Sequence, residues 1–248
     1  GELASGLIGS GRMAEPETIV GKLQAFFSHA QRLKGKKVLV TAGPTYEAID
    51  PVRFIGNHSS GKMGFAIAEA LAAEGAFVNL VTGPTHQRTE HPSISVKPVT
   101  SAEEMYQVCT TLFPASDITV LSAAVADYRP VSAATQKIKK KDENLLIELT
   151  RTHDIAASLG KLKHNGQVIV GFALETEEEQ ANAFKKLESK NFDLIVLNSL
   201  NDQGAGFGHD TNKITIIDRQ HHARSFSLKN KREVARDIAE AIIEKIHA

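Results

Sequence analysis

Residues 56–63, which read Gly-Asn-His-Ser-Ser-Gly-Lys-Met, fall one residue short of the phosphate-binding loop G-x-x-x-x-G-K-[ST]. Methionine stands at the last position, where the loop needs a hydroxyl to bind magnesium. Pro51 also lies shortly upstream, where the loop would need a central strand that runs directly into it. We therefore reject a nucleotide-hydrolase loop and interpret the segment as the start of a helix over residues 61–74, capped by Ser59 or Ser60. The free N–H groups and the dipole of such a helix favour a bound anion.

Neighbouring residues add to this candidate anion site. Gly61 and Gly64 let a phosphate come close to the backbone, and Arg53 and Asn57 supply a cation and an amide donor upstream. The segment therefore suits a phosphate or a carboxylate without the geometry of a nucleotide-hydrolase loop.

Other candidate residues follow runs of β-branched residues. Gly43 comes after the run KVLVT and allows close backbone approach, although the turn could equally be a plain connection. Ala123 and Ala124 come after ITVLS and leave room for a flat ligand. Asp127 follows them as a plausible partner for magnesium or a ribose.

Two further candidate residues, Lys137 and Phe172, each allow two interpretations. Lys137 begins the basic run KIKKK, which is either a solvated face or a lid that brings lysine to phosphates. Phe172 ends the run VIVGF and is either a core residue or a stacking partner for a base.

The elements that must position these residues alternate along the chain. Apolar β-branched runs predict strands, and stretches of helical periodicity between them predict helices; the strands are expected over 37–41, 77–82, 118–122, 168–172 and 194–197, and the helices over 61–74, 102–113, 154–162 and 176–190. This alternation predicts an α/β fold: a doubly wound, Rossmann-like parallel sheet with helices on both faces. Ligands bind such sheets beyond the carboxyl ends of the strands, which is where the candidate residues fall.

Three segments depart from the alternation. Residues 145–150 predict a hairpin-like excursion, and 213–218 with 223–228 predict an antiparallel pair near the C-terminus. Residues 231–247 carry an apolar residue every four positions, which predicts a final helix that packs on the sheet.

Composition excludes several classes of protein. The 248 residues include 42% hydrophobic and 23% charged residues, and the formal net charge is zero, so no surface for nucleic acid or anionic membrane is indicated. A single cysteine, Cys109, excludes a disulfide scaffold, and the ten histidines show no zinc-ligand spacing. No apolar run approaches the roughly 20 residues of a membrane span, so we expect a cytoplasmic protein.

The motifs together resemble a known family. VTAGPTYEAIDPVRFIGNHSSGKMG, SAAVADYRP followed by KIKK, GFALET and GFGHDTN stand in the order and spacing of bacterial phosphopantothenoylcysteine synthetase. That enzyme is the C-terminal half of the bifunctional coenzyme A biosynthesis flavoprotein. The resemblance implies a ligase in which 4'-phosphopantothenate is activated by CTP to an acyl-cytidylate and then joined to cysteine, with Mg²⁺ required. It also implies a homodimer.

The resemblance assigns roles to residues that match the family motifs. It implies that Asn57 handles the acyl-cytidylate, that Arg53 assists just upstream, and that Lys137 is the lysine of a mobile flap over the nucleotide. Asp127 matches an aspartate near nucleotide and metal, while Asp154 stands in a Thr-His-Asp-Ile run whose first two positions depart from the family pattern. Ala123, Ala124 and Phe172 are expected to border the cytidine, and the phosphate side is expected to be lined by Gly43, Ser59, Ser60, Gly61, Lys62 and Met63.

The start of the chain resembles a different enzyme. Residues 1–34 are similar to the end of the flavin-dependent phosphopantothenoylcysteine decarboxylase plus a linker, and residues 35–248 to the synthetase domain. Ser5 stands where much of that family has a cysteine with an acid role, and the flavin-binding body is missing from the chain. We therefore expect no decarboxylase activity, and FMN only in the missing domain.

Two alternatives to the ligase remain at this stage. A Rossmann oxidoreductase would explain the sheet, but it needs a G-x-G-x-x-G motif that the sequence lacks. A nonenzymatic nucleotide-binding module would explain the fold, yet it leaves Arg53, Asn57 and Lys137 without a purpose.

Overall fold

The structure is a computed structural model that describes residues 14–29, 31–140, 144–175, 177–199 and 209–247. The predicted roles that fall outside these ranges, including that of Ser5, therefore have no structural account. None of the described helices is long and apolar enough to cross a membrane.

The described residues form helices and strands that largely follow the predicted alternation. The helices are α1 (Pro16–His29), α2 (Lys62–Ala73), α3 (Ala102–Leu112), α4 (Ile155–Leu162), α5 (Glu179–Ser189) and α6 (Lys231–His247). The longer strands are β1 (Lys37–Ala42), β4 (Phe77–Thr82), β5 (Ile94–Pro98), β6 (Ile118–Leu121), β9 (Val168–Glu175), β10 (Leu194–Ser199) and β12 (Ile214–Asp218). The shorter strands are β2 (Tyr46–Ala48), β3 (Phe54–Gly56), β7 (Tyr128–Pro130), β8 (Leu149–Arg151), β11 (Thr211–Asn212), β13 (Ala223–Ser225) and β14 (Lys229–Asn230).

Eight strands form the main sheet, in the order β13-β12-β10-β9-β6-β1-β4-β5. The six strands from β10 to β5 pair in parallel, and β12 and β13 add an antiparallel edge. After β1 the chain builds outward to β4 and β5 on one side and then returns to β6 on the other. The order of strands therefore reverses between β1 and β6, and the doubly wound α/β prediction is confirmed.

Side chains of the central strands point alternately to two apolar layers, as a sheet covered on both faces requires. Val38 and Val40 pack in the layer beneath α2 and α6, whereas Leu39 packs in the opposite layer beneath α3, α4 and α5. The final helix occupies the predicted range and lies against α2 as well as the sheet.

The excursions differ from the prediction in detail. β8 pairs with β7 rather than closing a local hairpin around residues 145–150. A second antiparallel pair, β2 with β3, precedes α2, and the edge strand β5 was not predicted because most of its residues are exposed and polar positions interrupt its pattern. The C-terminal antiparallel pair is confirmed, and it extends the main sheet.

The residues just before β1 are anchored to the main domain. Leu33 is fully buried in the layer beneath α2 and α6. Arg32 forms ion pairs with Glu74 and Glu240, which follow α2 and lie within α6 respectively. The division of the chain at residues 34 and 35 stays a prediction.

Candidate active site

A cavity of about 770 Å³ opens at the carboxyl ends of the parallel strands, beside the reversal between β1 and β6. This is the position at which open α/β sheets bind ligands. Eleven of the predicted site residues line it: Asn57, Ser59, Ser60, Gly61, Lys62, Met63, Ala123, Ala124, Asp127, Asp154 and Phe172. The remaining three, Gly43, Arg53 and Lys137, are described residues that lie outside this lining.

The loops after β1 and β6 are held together by backbone hydrogen bonds. The amide of Ala124 donates to the carbonyl of Gly43 at 2.9 Å, and the amide of Thr45 donates back to the carbonyl of Ala124 at 3.3 Å. Gly43 has a φ of 73°, in the left-handed region that favours glycine. Gly43 thus shapes the floor beneath the Ala123–Ala124 segment.

Asn57 ties the segment before α2 to the loop after β6. Its Nδ2 donates to the carbonyl oxygens of Ala124 and Val125, each at 3.1 Å. Both donor positions of the amide are therefore used by the protein backbone, and within the described part of the chain the acceptor Oδ1 is left for a ligand. Asn57 is a cavity residue whose orientation is fixed before any ligand arrives.

The start of α2 corrects one prediction. Neither Ser59 nor Ser60 caps the helix: the N-cap is Gly61, which has a φ of 77° and makes no side-chain cap hydrogen bond. Ser59 Oγ accepts from the Gly61 amide at 3.4 Å instead. Among the described residues, no side chain caps the first amides of α2, which favours an anion at the cavity.

Arg53 and Lys137 are connected through a buried carboxylate that sequence reasoning did not single out. Arg53 bonds Asp50 and the carbonyl of Ile138, the residue after Lys137. Asp50 also accepts from the Ile138 amide at 3.1 Å. Lys137 itself is exposed. Arg53 therefore holds the segment that carries Lys137 rather than lining the cavity.

Cations concentrate on the side of the cavity formed by α4 and α5. Lys186 and Lys190, one helical turn apart, both line the cavity, and so does Arg151. Lys190 forms an ion pair with Asp154, which caps α4 by accepting from the amide of Ala157 at 2.8 Å. Partial burial disfavours the Asp154 carboxylate, but the hydrogen bonds from Lys190 and Ala157 outweigh this and lower its pKa. The i, i+4 spacing of Lys186 and Lys190 is visible in the sequence, but the sequence does not show that this face of α5 points toward the cavity.

A second cationic group lies near the start of α2. Lys62 Nζ bonds Asp210 at 2.5 Å, and Lys231 Nζ donates to the carbonyl of His209 at 2.5 Å. Lys231 is only 8% exposed, and burial together with the nearby Lys62 charge lowers its pKa. Lys231 begins α6, far along the chain, so no local pattern could place it here.

His153 is a further lining residue that the sequence did not single out for a role. Its Nδ1 lies 2.7 Å from Glu103 Oε2, and its ring stacks on Tyr106 with 4.6 Å between centroids. The hydrogen bond from His153 lowers the pKa of Glu103. The pair fixes the ring at the α3 side of the opening.

Asp127 is the carboxylate expected to hold magnesium. It is exposed and lines the cavity, and its backbone carbonyl accepts from the amide of Thr152 at 3.0 Å. Within the described ranges, no three His, Cys, Asp or Glu residues cluster as a metal site. One carboxylate fits the way Mg²⁺ is held beside nucleotides, with phosphate oxygens and water as the remaining ligands.

A doubly wound α/β domain whose cavity at the strand reversal is lined by several lysines and an arginine is of a class suited to an anionic ligand. The chain belongs to the DNA/pantothenate metabolism flavoprotein C-terminal domain family, whose model matches residues 33–246. This confirms the resemblance inferred from the motifs.

Similar proteins extend this result. The chain is 44% identical to the coenzyme A biosynthesis bifunctional protein CoaBC of Bacillus subtilis (strain 168) over 98% of its own length and 60% of that protein's length. It is 53% identical to a cysteine/cysteine sulfinic acid decarboxylase from an unknown prokaryotic organism, over its full length and 70% of that protein. The crystal structure of a CoaBC C-terminal domain matches with a TM-score of 0.75 and 39% identity, covering 88% of this chain and 98% of that one.

Proposed function

We propose that the chain carries the phosphopantothenate–cysteine ligase step of coenzyme A biosynthesis. The observation that carries the proposal is Asn57, which is held against the Ala124–Val125 backbone at the strand reversal and lines the same cavity as two groups of lysines. Membership of the family and the similarity to CoaBC proteins support it.

The proposed reaction has two steps. The carboxylate of 4'-phosphopantothenate attacks the α-phosphate of CTP, which forms an acyl-cytidylate and releases pyrophosphate. The amine of cysteine then attacks the acyl carbon, CMP leaves and the amide forms, with the amine proton passing to solvent. Both steps gather negative charge, so positioning and electrostatic stabilisation supply most of the catalysis.

The cavity offers a place for each part of the ligands. Ala123, Ala124 and Phe172, which line the cavity, would border the cytidine, while Lys186 and Lys190 from the same lining would face its phosphates. The amides at the start of α2, together with Lys62, suit the phosphate of the second substrate. Asp127 would hold Mg²⁺, which neutralises phosphate charge when bound.

One assay tests the proposal. With CTP, Mg²⁺, phosphopantothenate and cysteine, the chain should release pyrophosphate and form the amide, and CTP with Mg²⁺ should raise its melting temperature whereas NAD(P) should not. Stabilisation by NAD(P) would favour an oxidoreductase, and CTP binding without pyrophosphate release a nonenzymatic module. Carbon dioxide release from cysteine without CTP would instead favour the activity in the name of the 53%-identical relative.

The homodimer is also a proposal, and it is supported by an apolar surface on the two short antiparallel pairs outside the main sheet. The pairs β2–β3 and β7–β8 lie side by side. Their exposed apolar side chains, together with those of the connecting segments, are Val52, Phe54, Tyr128, Val131, Leu145, Leu146 and Leu149. Such a concentration of apolar residues marks an interface, and a second copy of this chain is the proposed partner.

Leu146→Glu is expected to convert the dimer into a monomer. Leu146 is 94% exposed, so a charge there cannot disturb the fold of one subunit but would be buried against the partner. Light scattering coupled to size exclusion measures the mass. Phe77→Glu, at a 60% exposed position on β4 away from this surface, is the control and should leave the dimer intact. A wild-type monomer, or a dimeric Leu146→Glu protein, would contradict the proposal.

A further inference from the structure

Asp50 occupies an unusual position for a carboxylate. Its side chain is 0% exposed, yet it lies in the turn between β2 and β3 and not in the cavity. A buried carboxylate persists only where donors surround it. Here five hydrogen bonds reach its two oxygens.

The two oxygens serve different parts of the chain. Oδ1 accepts from the amides of Val52 and Arg53, each at 2.8 Å, which closes the local turn. Oδ2 accepts from Arg53 Nε at 3.0 Å and Nη2 at 2.5 Å, and from the Ile138 amide at 3.1 Å. One oxygen thus shapes the turn while the other reaches the basic segment.

The basic segment is attached through both backbone groups of Ile138, its carbonyl and its amide. The guanidinium of Arg53 donates to the Ile138 carbonyl at 2.8 Å, while Asp50 takes the Ile138 amide. A third bond, from the Ala134 amide to the Ile49 carbonyl at 2.9 Å, attaches the same segment three residues before Lys137. Lys137 lies between these two anchors, with its own side chain exposed.

The ion pair keeps this arrangement in place at neutral pH. The hydrogen bonds from Arg53 hold the pKa of Asp50 far below its usual range, although burial opposes this. The carboxylate therefore stays ionised throughout the working range of the protein.

We infer that Asp50 is a positioning residue: with Arg53 it fixes the backbone of residues 134–138 and thereby sets where Lys137 reaches over the cavity. The inference rests on the proposed role of Lys137 in the ligase reaction. It also gives Arg53 a task that needs no contact with substrate.

Asp50→Asn separates the two tasks of the side chain. The amide oxygen can stay in the place of Oδ1 and keep the turn, while the NH₂ group takes the place of Oδ2 and faces Arg53 and the Ile138 amide, which are also donors. The anchor is lost while the turn survives. Asp218→Asn is the matched control, because Asp218 Oδ1 also accepts from two amides, those of Gln220 and His222, in a turn on the far edge of the sheet.

Two readouts test the inference in the whole chain. Hydrogen exchange in peptides covering residues 131–140 should speed up about tenfold in Asp50→Asn and stay unchanged in Asp218→Asn. The kcat for pyrophosphate release should fall about tenfold in Asp50→Asn with the KM for CTP within about twofold of wild type. If Asp50→Asn does not fold, Arg53→Lys is the second variant, because Arg53 is the more exposed partner and a lysine cannot reproduce the bonds of the guanidinium to Asp50 and the Ile138 carbonyl. It should also speed up exchange at 131–140 and lower kcat.

A double-mutant cycle separates positioning from general damage. If Asp50 acts through Lys137, Asp50→Asn should lower kcat no further in a Lys137→Gln background. The inference would be overturned if the losses in kcat of the two single variants multiply in the double variant. It would also be overturned if Asp50→Asn leaves hydrogen exchange at 131–140 unchanged, or if it speeds up that exchange without changing kcat. A wild-type chain without pyrophosphate release would instead refute the proposed function, and hydrogen exchange alone would then decide whether Asp50 holds the segment.

Discussion

Asn57→Asp is expected to abolish amide formation while leaving the first half of the reaction measurable, with a loss of about 10³-fold in overall kcat/KM. The Nδ2 group of Asn57 donates to the carbonyls of Ala124 and Val125. An aspartate would place an anionic oxygen against those two carbonyl oxygens, so the side chain must turn away and carry its charge into the cavity. Amide formation is expected to suffer most, because Lys186 and Lys190 are proposed to offset the charge of the first step, whereas the oxyanion of the second step would meet this new charge directly.

The first half-reaction should survive because the lysines proposed to face the CTP phosphates are untouched. Lys186 in α5 and Lys190 directly after it also line the cavity, and they are expected to keep their positions because Asn57 bonds the backbone of Ala124 and Val125 rather than either lysine. A single-turnover experiment with labelled CTP and phosphopantothenate should therefore show pyrophosphate release and an accumulating acyl-cytidylate that cysteine does not consume. Asn182→Asp is the matched control: Asn182 Nδ2 also donates to a backbone carbonyl, that of Glu177, but in α5 at an exposed site. Normal amide yield from Asn57→Asp would remove Asn57 from the mechanism.

The parts of this site that sequence could predict are those set by local patterns. Buried β-branched runs identify the parallel strands, and the rule that ligands bind at strand ends then places Asp127 and Phe172 at the cavity. Gly61 illustrates the limit of such rules. Serine is a strong N-cap residue, yet the left-handed Gly61 starts α2 instead, because the chain must turn sharply between the cavity and the helix.

Long-range pairs escaped prediction for a different reason. The Lys62–Asp210 and Asp50–Ile138 contacts join residues 148 and 88 positions apart, and nothing local to either partner indicates the other. Arg53 shows the consequence for function. Its motif suggested a substrate contact, whereas its hydrogen bonds attach it to Asp50 and to the Lys137 segment.

Gly64→Ala is expected to lower the free energy of unfolding by about 2 kcal/mol and to weaken ligand binding at the start of α2. A Cβ at Gly64 would lie 2.5 Å from Ala42 Cβ, 2.8 Å from Ser122 Oγ and 3.0 Å from Ala42 Cα. Those atoms belong to the end of β1 and to the residue that follows β6, on the two sides of the strand reversal. The helix must therefore move away from the sheet at the point where its first amides face the cavity.

The helical preference of alanine raises the free energy of unfolding, whereas the steric conflict lowers it, so a control that shows only the first effect is needed. Alanine in a helix is favoured over glycine by about 1 kcal/mol, so Gly64→Ala tests whether steric conflict exceeds that gain. Gly21→Ala supplies the gain alone, because Gly21 lies in α1 and a Cβ added there would meet no atom of the described residues within 4 Å. Urea unfolding should show that Gly21→Ala is as stable as wild type or more stable, and that Gly64→Ala is less stable. In thermal melting, only Gly64→Ala should show a smaller rise in melting temperature when CTP and phosphopantothenate are added. If Gly64→Ala matches wild type in both measurements, α2 does not depend on close contact with β1. Gly64, the second glycine of the G-K-M-G motif, would then have no part in placing the helix start that is proposed to bind the anion.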